Sequence, residues 1–411
     1  MKIGKYLIRT IASASDCSQW VCANASHLFT VLATGLLVAT GPVALAQNVV
    51  KIGGLEAQTG PASIFGLMPS QGVRMAVDEI NKGGGFVVAG KTYTLQLISP
   101  DTQGNPQQAL VQIKKMLGED NVKYIFGPYL TNVFNAVAPY AQQFNGKFLL
   151  MGGATGIHGA LGKPNNDYLL KTIPWDTGTS GYGSLMVDSI KKKGAKKVAI
   201  LMQNDAGGKA VVDIYTSIFK DKGIDLRIEF FEPGTKDFTT VLAKLAADKP
   251  DYLFPGYTDS SLYDIVRQAT EVGLTRFFIT RGSIGPGLKN KDMIDSYVAW
   301  VPKYFQEAEK TDPKIAKFVS SYKAFYKTDF PYDQAPQCAT SCYDHVYMLV
   351  DAMKRAGTVD DVPKVKQALM STTYRGLWNI RYDATGEAII DFDVVELQKG
   401  GKVIVTHIEP K

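Results

Sequence analysis

One stretch, residues 122–155, constrains the fold more than any other part of the chain. It reads VKYIFGPYLTNVFNAVAPYAQQFNGKFLLMGGAT. Residues 122–126 and 148–151 are short apolar runs, which are typical of strands buried on both faces. The pattern predicts a β-α-β unit with two parallel strands. The apolar residues between the runs recur at helical spacing: Val133, Ala136, Val137, Tyr140, Ala141 and Phe144.

Both predicted strands end in a turn of small residues that carries a threonine. Residues 127–131 read GPYLT and residues 152–155 read GGAT. In an open α/β sheet, ligands bind beyond the carboxyl ends of the strands. Thr131 and Thr155 each open the next segment, so each can cap a helix whose free backbone N–H groups point outward. Either threonine alone is as well explained by an ordinary cap, but the two together favour a cradle for an anionic group.

The first 46 residues have the features of an export signal. A basic opening leads to an apolar run at residues 28–39, and the sequence ALA at residues 44–46 fits the cleavage rule, which leaves Gln47 as the new N-terminus. The apolar core of about a dozen residues is shorter than the roughly 20 that cross a bilayer. We therefore expect a mature chain that is exported and has no membrane span.

Charge and cysteine content narrow the classes of function. Removal of residues 1–46 takes away three basic residues and one acidic residue, which lowers the net charge from +6 to +4 (42 minus 38). This mild charge is spread along the chain and does not predict a nucleic-acid partner. Cys338 and Cys342 could pair in an oxidising compartment, but their spacing places them on one helix face, which disfavours an unstrained bridge. No cofactor and no structural metal is expected.

The remaining chain alternates strand and helix patterns. One series runs from residue 49 to residue 171, and a second, of similar length, runs from residue 197 to residue 280. Two successive βαβ series predict an α/β protein with two doubly wound parallel-sheet lobes. The connections are short, so we expect several strands, and not a single tether, to join the lobes.

The last part of the chain and one glycine run complete the pattern. Residues 312–327 and 337–355 have long helical patterns, and alternating strands are predicted around residues 388–397 and 402–408. The glycines at residues 83–85 follow a helical pattern, where glycine ends a helix, so they do not predict a phosphate-binding loop.

Several sequence motifs of common enzymes are absent. The chain has no G-x-G-x-x-G after the first strand, no G-x-S-x-G and no H-E-x-x-H. Residues 85–92, GFVVAGKT, match the letters of the P-loop pattern, but they follow a helical pattern and precede a strand, the reverse of the order that a P-loop requires. The mature chain holds His158, His345 and His407, and none of them has a sequence neighbour at metal-ligand or triad spacing. We therefore expect a protein that captures a molecule, with an exported enzyme as a minor alternative.

Seven segments give a more specific indication. In chain order they are IGGLEAQTGPASIFG, GVRMAVDEINKGGG, SPDTQGNPQQA, YIFGPYLT, LLMGGAT, KKVAILMQNDAGG and YRGLWNIRYDATGE. This ordered series resembles the branched-chain amino-acid-binding, or Leu/Ile/Val-binding-protein-like, family of periplasmic substrate-binding proteins of ABC transporters, which have the type I fold. The resemblance covers nearly all of residues 48–411.

The resemblance implies two lobes that close around a ligand through a three-stranded hinge. Residues 48–173 and 304–377 would form lobe 1, and residues 174–303 and 378–411 would form lobe 2. The implied protein is a periplasmic monomer that takes a small-molecule ligand to an inner-membrane ABC permease and needs no cofactor.

The resemblance also implies ligand-binding residues in the first lobe. Thr131 matches the family's hydroxyl residue after Gly-Pro, and Gly153, Ala154 and Thr155 match its Gly-Ala-Thr turn. Their hydroxyl and backbone N–H groups would hold the α-carboxylate of the ligand. Phe65 matches an aromatic position that lines the pocket, with a core phenylalanine as the alternative.

In the second lobe, one position follows the family and two depart from it. Tyr257 matches a tyrosine that reaches the ligand. Ala206 stands where amino-acid binders carry an aromatic residue, which leaves room for a bulkier ligand. Arg281 falls at or beside the acidic residue that pairs with the ligand's ammonium group. A guanidinium repels an ammonium group and binds carboxylates, so Arg281 favours an organic or aromatic acid; a solvent-facing Arg281 is the alternative.

Two other functions remain open. A branched-chain amino-acid binder would need another carboxylate, such as Glu56 or Asp205, to meet the ammonium group. A ligand-binding sensor module has the same fold but would require a membrane span after Ile408.

Overall fold

The structure, a computed structural model, describes residues 48–60, 62–174, 182–255, 260–280, 296–300, 305–331, 336–398 and 402–409. One compact unit spans Ala46–Lys411. Its helices are α1 Ser63–Lys82, α2 Pro106–Gly118, α3 Thr131–Ala141, α4 Thr155–His158, α5 Tyr182–Lys192, α6 Ala206–Asp221, α7 Thr239–Ala247, α8 Ser260–Glu271, α9 Phe305–Thr311, α10 Pro313–Tyr326, α11 Pro336–Ala356 and α12 Val362–Met370, with a 3₁₀ turn at Gln142–Phe144.

The first sheet has six strands in the order β2-β3-β1-β4-β5-β6, and all neighbours are parallel except the antiparallel pair β2 and β3. This order is that of a doubly wound sheet, in which the chain crosses from one side of β1 to the other. The six strands are β1 Asn48–Gly54, β2 Phe86–Val88, β3 Lys91–Ile98, β4 Tyr124–Phe126, β5 Leu149–Gly152 and β6 Leu169–Lys171.

Three further sheets follow along the chain. A parallel sheet has the order β8-β7-β9, a mixed sheet has the order β10-β11-β15-β16, and an antiparallel sheet has the order β12-β13-β14. The strands are β7 Lys197–Gln203, β8 Asp225–Phe231, β9 Tyr252–Pro255, β10 Phe278–Ile279, β11 Ser296–Trp300, β12 Tyr374–Arg375, β13 Asn379–Tyr382, β14 Ala388–Ile390, β15 Phe392–Leu397 and β16 Val403–Ile408.

Strand β4 shows how the sequence pattern builds the first sheet. Its three residues are almost fully buried, but they alternate between two core layers. Tyr124 and Phe126 belong to the layer that contains residues of α1 and α11, and Ile125 belongs to the layer that contains residues of α2 and α3. A strand covered on both faces needs a continuous apolar run, which is the pattern seen at residues 122–126.

The predicted β-α-β unit is confirmed, since β4 and β5 are parallel and α3 connects them. The glycines at residues 83–85 do end α1, with Gly83 as its C-cap and Gly84 at a φ of +91°. Cys338 and Cys342 are both buried in α11 and are free thiols. In the part of the chain that the structure describes, no helix has the length and apolarity to cross a membrane.

We predict that Ile125→Ala destabilises the protein by about 2–5 kcal/mol, because the substitution leaves a cavity between the sheet and the helices α2 and α3. Urea unfolding followed by circular dichroism measures this change. Val111→Ala is the matched control, since Val111 lies on α2 and is 68% exposed; its effect should stay within about 0.5 kcal/mol. Equal effects of the two substitutions would contradict the assignment of Ile125 to the core.

Candidate ligand-binding site

Strands β1, β4 and β5 are neighbours and run parallel, so their carboxyl ends meet at one edge of the first sheet. The strands end at Gly54, Phe126 and Gly152. Just past β4, the Gly127 N–H donates a hydrogen bond of 2.8 Å to the Met151 carbonyl oxygen of β5. This bond extends the strand pairing into the turns, at the sheet edge where α/β proteins bind ligands.

The turns after β4 and β5 are hydrogen-bonded to each other. The Ala154 N–H donates to the Pro128 carbonyl oxygen at 3.1 Å. The Gly156 N–H donates to Thr131 Oγ1 at 3.3 Å. The two threonine-bearing turns therefore lie side by side, as the β-α-β pattern predicts.

The predicted helix caps are wrong in detail. Helix α3 begins at Thr131 and its N-cap is Leu130, while α4 begins at Thr155 and its N-cap is Ala154; neither N-cap makes a side-chain capping bond. The Thr131 hydroxyl accepts its hydrogen bond from Gly156 of the other turn instead. A contact between turns, which short-range sequence rules do not describe, has replaced the local cap.

This arrangement leaves hydrogen-bond donors at the start of α3. The first bond within the helix runs from the Phe134 N–H to the Leu130 carbonyl oxygen, so the N–H groups of residues 131–133 have no acceptor in the helix. The Thr131 hydroxyl also keeps a proton to donate while its oxygen accepts from Gly156. Such donors, at the positive end of a helix dipole, suit an anion. The Ala154 N–H, in contrast, is already used by Pro128.

Gly153 occupies a position that admits no side chain. A Cβ atom there would lie 2.7 Å from Cδ2 of the Tyr129 ring. The Gly153 carbonyl oxygen accepts a hydrogen bond of 3.3 Å from Lys171 Nζ, and Lys171 is fully buried. Lys171 pairs through a β-bridge with Glu387, whose buried carboxylate lies 2.9 Å from His158 Nδ1. The turn is thus backed by a buried ammonium group.

Two aromatic rings lie beside the turns. Phe65, the predicted pocket residue, and Tyr129 have nearly parallel rings, with an interplanar angle of 4° and a centroid separation of 6.2 Å. Both side chains are partly exposed. Tyr129 is not among the sequence-predicted site residues. Its position in GPYLT, two residues before Thr131, is the signal that could have identified it.

Glu56 follows β1 and is 4% exposed. Its Oε2 accepts a hydrogen bond of 3.1 Å from the Tyr129 N–H. Burial raises the pKa of the Glu56 carboxyl well above its usual value, and the bond from Tyr129 opposes this effect only in part. Glu56 therefore supports the turn from inside the protein and favours its neutral form.

Asp205 and Ala206 mark the start of α6. Asp205 is the N-cap, with Oδ1 accepting from the Gly208 N–H at 2.7 Å and Oδ2 accepting from Gln203 Nε2 at 2.6 Å. Ala206 is the first residue of the helix and is exposed. Helix α6 contacts both α3 and α4, so the helices that begin at the two turns pack against a helix of the second βαβ series.

Two predicted site residues, Tyr257 and Arg281, lie outside the described residues, as does the side chain of Thr155. The strands before them are described. β9 ends at Pro255 and β10 ends at Ile279. An isolated parallel β-bridge joins Leu253 of β9 to Phe277, the residue before β10, so Tyr257 and Arg281 both follow, in the sequence, the carboxyl ends of adjacent segments.

Residues 49–402 match the model of the family described as periplasmic binding protein. The chain is 26% identical over 387 residues to the Leu/Ile/Val-binding protein BraC3 of Rhizobium johnstonii, covering 91% of this chain and 98% of that protein. It is also similar to the crystal structure of a leucine-binding protein of Thermotoga maritima, with a TM-score of 0.70, 22% identity and coverage of 88% and 99% of the two chains.

A third similarity is to a solute-binding protein of an ABC transporter from R. palustris in complex with benzoate, with a TM-score of 0.69, 17% identity and coverage of 88% and 98%. These similarities agree with the sheet order, and the family is one of binding proteins and not of enzymes. The chain belongs to the periplasmic binding protein family and, within it, to the type I, Leu/Ile/Val-binding-protein-like solute-binding proteins of ABC transporters.

Proposed function

We propose that this protein binds a small carboxylate-bearing ligand in the periplasm, with an organic or aromatic acid favoured, and delivers it to an inner-membrane ABC permease. The observation that carries the proposal is the joined pair of turns at Thr131 and Gly156. The turns bring a hydroxyl group and helix N–H groups without a helical acceptor to the carboxyl edge of the first sheet, which is the edge where α/β proteins commonly bind ligands.

In this proposal the carboxylate binds at the start of α3. The Thr131 hydroxyl and the first N–H groups of α3 donate to its oxygens, and the Gly153–Thr155 turn forms the neighbouring wall. The buried Lys171 side chain, bonded to the Gly153 carbonyl oxygen, holds that wall in place from behind. Phe65 and Tyr129 offer ring surface to the apolar part of the ligand.

One guanidinium group and two carboxyl groups help to decide whether the ligand is an acid without an ammonium group or an amino acid. In the proposed alignment, Arg281 falls at or beside the family's acidic partner for an ammonium group. Glu56 is buried against Tyr129, and both carboxylate oxygens of Asp205 bond to its own helix start and to Gln203. Glu56 favours its neutral form, and both oxygens of Asp205 already accept hydrogen bonds, so each is a weaker partner for an ammonium group, which favours a ligand that lacks one.

Binding of a branched-chain amino acid is the second candidate. The name of the Rhizobium relative, a Leu/Ile/Val-binding protein, favours it. The bound benzoate in the R. palustris structure favours an aromatic acid. The family therefore includes proteins of both kinds, and the residues that face the ligand decide between them.

We further propose that the protein is a monomer and that its two lobes close around the ligand. Ala206, Tyr257 and Arg281 lie on the second lobe in this proposal. Contact of α6 with α3 and α4 supports this arrangement. We keep residues 48–173 and 304–377 in the first lobe and change one boundary of the second. Glu387 pairs with Lys171 of the first sheet, so we assign residues 378–390 to the first lobe. Binding selects the closed form, which the permease recognises.

A thermal-shift screen of the protein, unfolded and refolded to remove any carried ligand, tests the proposal. The ligands are Leu, Ile, Val, polar amino acids, dicarboxylates and benzoate- and cinnamate-type acids. At a thousandfold excess over Kd a ligand adds about 4 kcal/mol, which raises the Tm by several degrees. We expect shifts with acids that Arg281→Glu abolishes. Shifts with Leu, Ile or Val alone would refute the preference for acids.

Thr131→Ala should weaken every carboxylate ligand by about 10- to 100-fold, because a hydrogen bond to a charged group contributes about 1.5–3 kcal/mol. Thr131→Ser keeps the hydroxyl group and should restore most of the affinity. Titration calorimetry with a ligand from the screen measures both effects. Thr311→Ala, at an exposed threonine of α9, is the control. Unchanged affinity in the Thr131→Ala variant would remove Thr131 from the site.

Glu56→Gln separates a supporting role from a ligand-binding role. Folding raises the pKa of Glu56, so the folded state binds the Glu56 proton more tightly than the unfolded state does. The wild type therefore loses stability as the pH rises from the pKa of Glu56 in the unfolded state to its pKa in the folded state. The glutamine side chain of the variant does not titrate, so the free energy of unfolding of the variant, relative to that of the wild type, should increase from pH 5 to pH 8. Urea unfolding at the two pH values measures it.

The same variant tests the second candidate function. The Gln side chain keeps an oxygen acceptor for the Tyr129 N–H, so we expect ligand affinity to change less than about threefold. A loss of amino-acid binding in both Glu56→Gln and Asp205→Asn variants, without loss of stability at pH 7, would instead identify these carboxylates as partners of an ammonium group.

A further inference from the structure

A histidine and three carboxylates meet on one face of the sheet formed by β15 and β16, within residues 391–409. The two strands are antiparallel, with Asp393 opposite His407 and Phe392 opposite Ile408. Asp391 and Glu409 are the next residues on the same face, because side chains alternate between faces along a strand. The four residues therefore come from the segments DFD and HIE, which lie about 16 residues apart in sequence.

The distances in this cluster are centred on the His407 imidazole. Nδ1 lies 2.8 Å from Asp393 Oδ1, and Nε2 lies 3.8 Å from Asp391 Oδ2 and 3.9 Å from Glu409 Oε1. One ligand atom from each of His407, Asp391 and Glu409 lies within 4.8 Å of the others. Asp391 Oδ2 also accepts a hydrogen bond from Asn379 Nδ2 at 2.5 Å, which holds that carboxylate in place.

The two imidazole nitrogens have different roles. Asp393 is 5% exposed, and in neutral His407 its carboxylate accepts the Nδ1–H bond, which leaves the Nε2 lone pair directed toward Asp391 and Glu409. A ligating histidine whose other nitrogen donates to a carboxylate is the usual arrangement around protein-bound metals, because it fixes the tautomer and makes the free nitrogen more basic.

The spacing and charge suit a small dication. Two donors that are each about 2.1 Å from a tetrahedral metal are about 3.4 Å apart, so the Nε2-to-oxygen separations need to shorten by only about half an ångström. Glu409 is exposed and can rotate to make this adjustment. Three carboxylates around one imidazole carry three negative charges, and a dication offsets their mutual repulsion.

We propose that His407 Nε2, Asp391 and Glu409 bind a divalent transition-metal ion such as Zn²⁺, with water completing the coordination. Asp393 is the positioning residue that orients the imidazole. The site is independent of the ligand-binding proposal, since it uses none of the residues placed there. The exposure of His407 and Glu409 gives a metal ion access from solvent.

Titration calorimetry of the untagged mature chain, residues 47–411, stripped with a chelator, tests the site with ZnCl₂ and, for comparison, MgCl₂. We expect one zinc ion per chain and a preference for Zn²⁺ over Mg²⁺, because Mg²⁺ favours oxygen ligands alone. His407→Ala should abolish this stoichiometric binding. Asp393→Asn keeps all three ligands and should weaken Zn²⁺ binding by about 10- to 100-fold.

His158→Ala is the matched control, because His158 also pairs its Nδ1 with a carboxylate, that of Glu387, and it should leave the zinc stoichiometry at one. Circular dichroism of each variant verifies its fold. Equal zinc binding by the wild type and the His407→Ala variant would overturn the proposal. The absence of a one-to-one complex in the wild type up to millimolar Zn²⁺ would also overturn it and would leave the cluster with a structural role alone.

Discussion

The parallel pairing of β4 with β5 is the constraint on which the rest of the site depends. It brings two turns that are separated by 20 residues of chain to one edge of the sheet, where the Gly156 N–H reaches Thr131 Oγ1. A single neutral hydrogen bond contributes only about 1 kcal/mol. The position of the turns is therefore fixed mainly by the two core layers that bury β4 on both faces.

The charges around this edge explain why a carboxylate suits it. Glu56 contacts the turn through the hydrogen bond that it accepts from the Tyr129 N–H. It is buried and favours its neutral form. Lys171 lies behind the GGAT turn and bonds to its Gly153 carbonyl oxygen. The start of α3 adds unpaired N–H groups. In the proposed function, an anion at this edge meets the hydrogen-bond donors at the start of α3, and the neutral form of Glu56 does not repel it.

Much of the fold follows from sequence because its signals are local. Apolar runs, helical spacing and the glycine stop at residues 83–85 each reflect contacts within a few residues, and they identify the β-α-β unit correctly. The Thr131 cap is mispredicted because its hydroxyl meets the backbone of another turn. The strand β2 has only three residues, and β12 and β13 form a short antiparallel pair. Neither element has an apolar pattern long enough to predict it from sequence.

The proposed site residues divide in the same way. Thr131 and the Gly153–Thr155 turn follow strand ends and are visible in sequence. Tyr129 lies in the same GPYLT turn, but its ring contact with Phe65 and its close approach to Gly153 are apparent only in the structure. The bond from Lys171 to Gly153 joins the end of β6 to the turn after β5, and nothing in the sequence near either residue indicates it. The His407 cluster likewise depends on the register of β15 and β16, so spacing along the chain does not reveal it.

The decisive experiment is a crystal structure of the protein with an acid that it binds in solution. We expect a carboxylate oxygen about 2.5–2.8 Å from Thr131 Oγ1, with the other oxygen near the first N–H groups of α3 and the body of the ligand against Phe65 and Tyr129. A ligand whose carboxylate lies away from both turns, or that binds elsewhere on the protein, would contradict it.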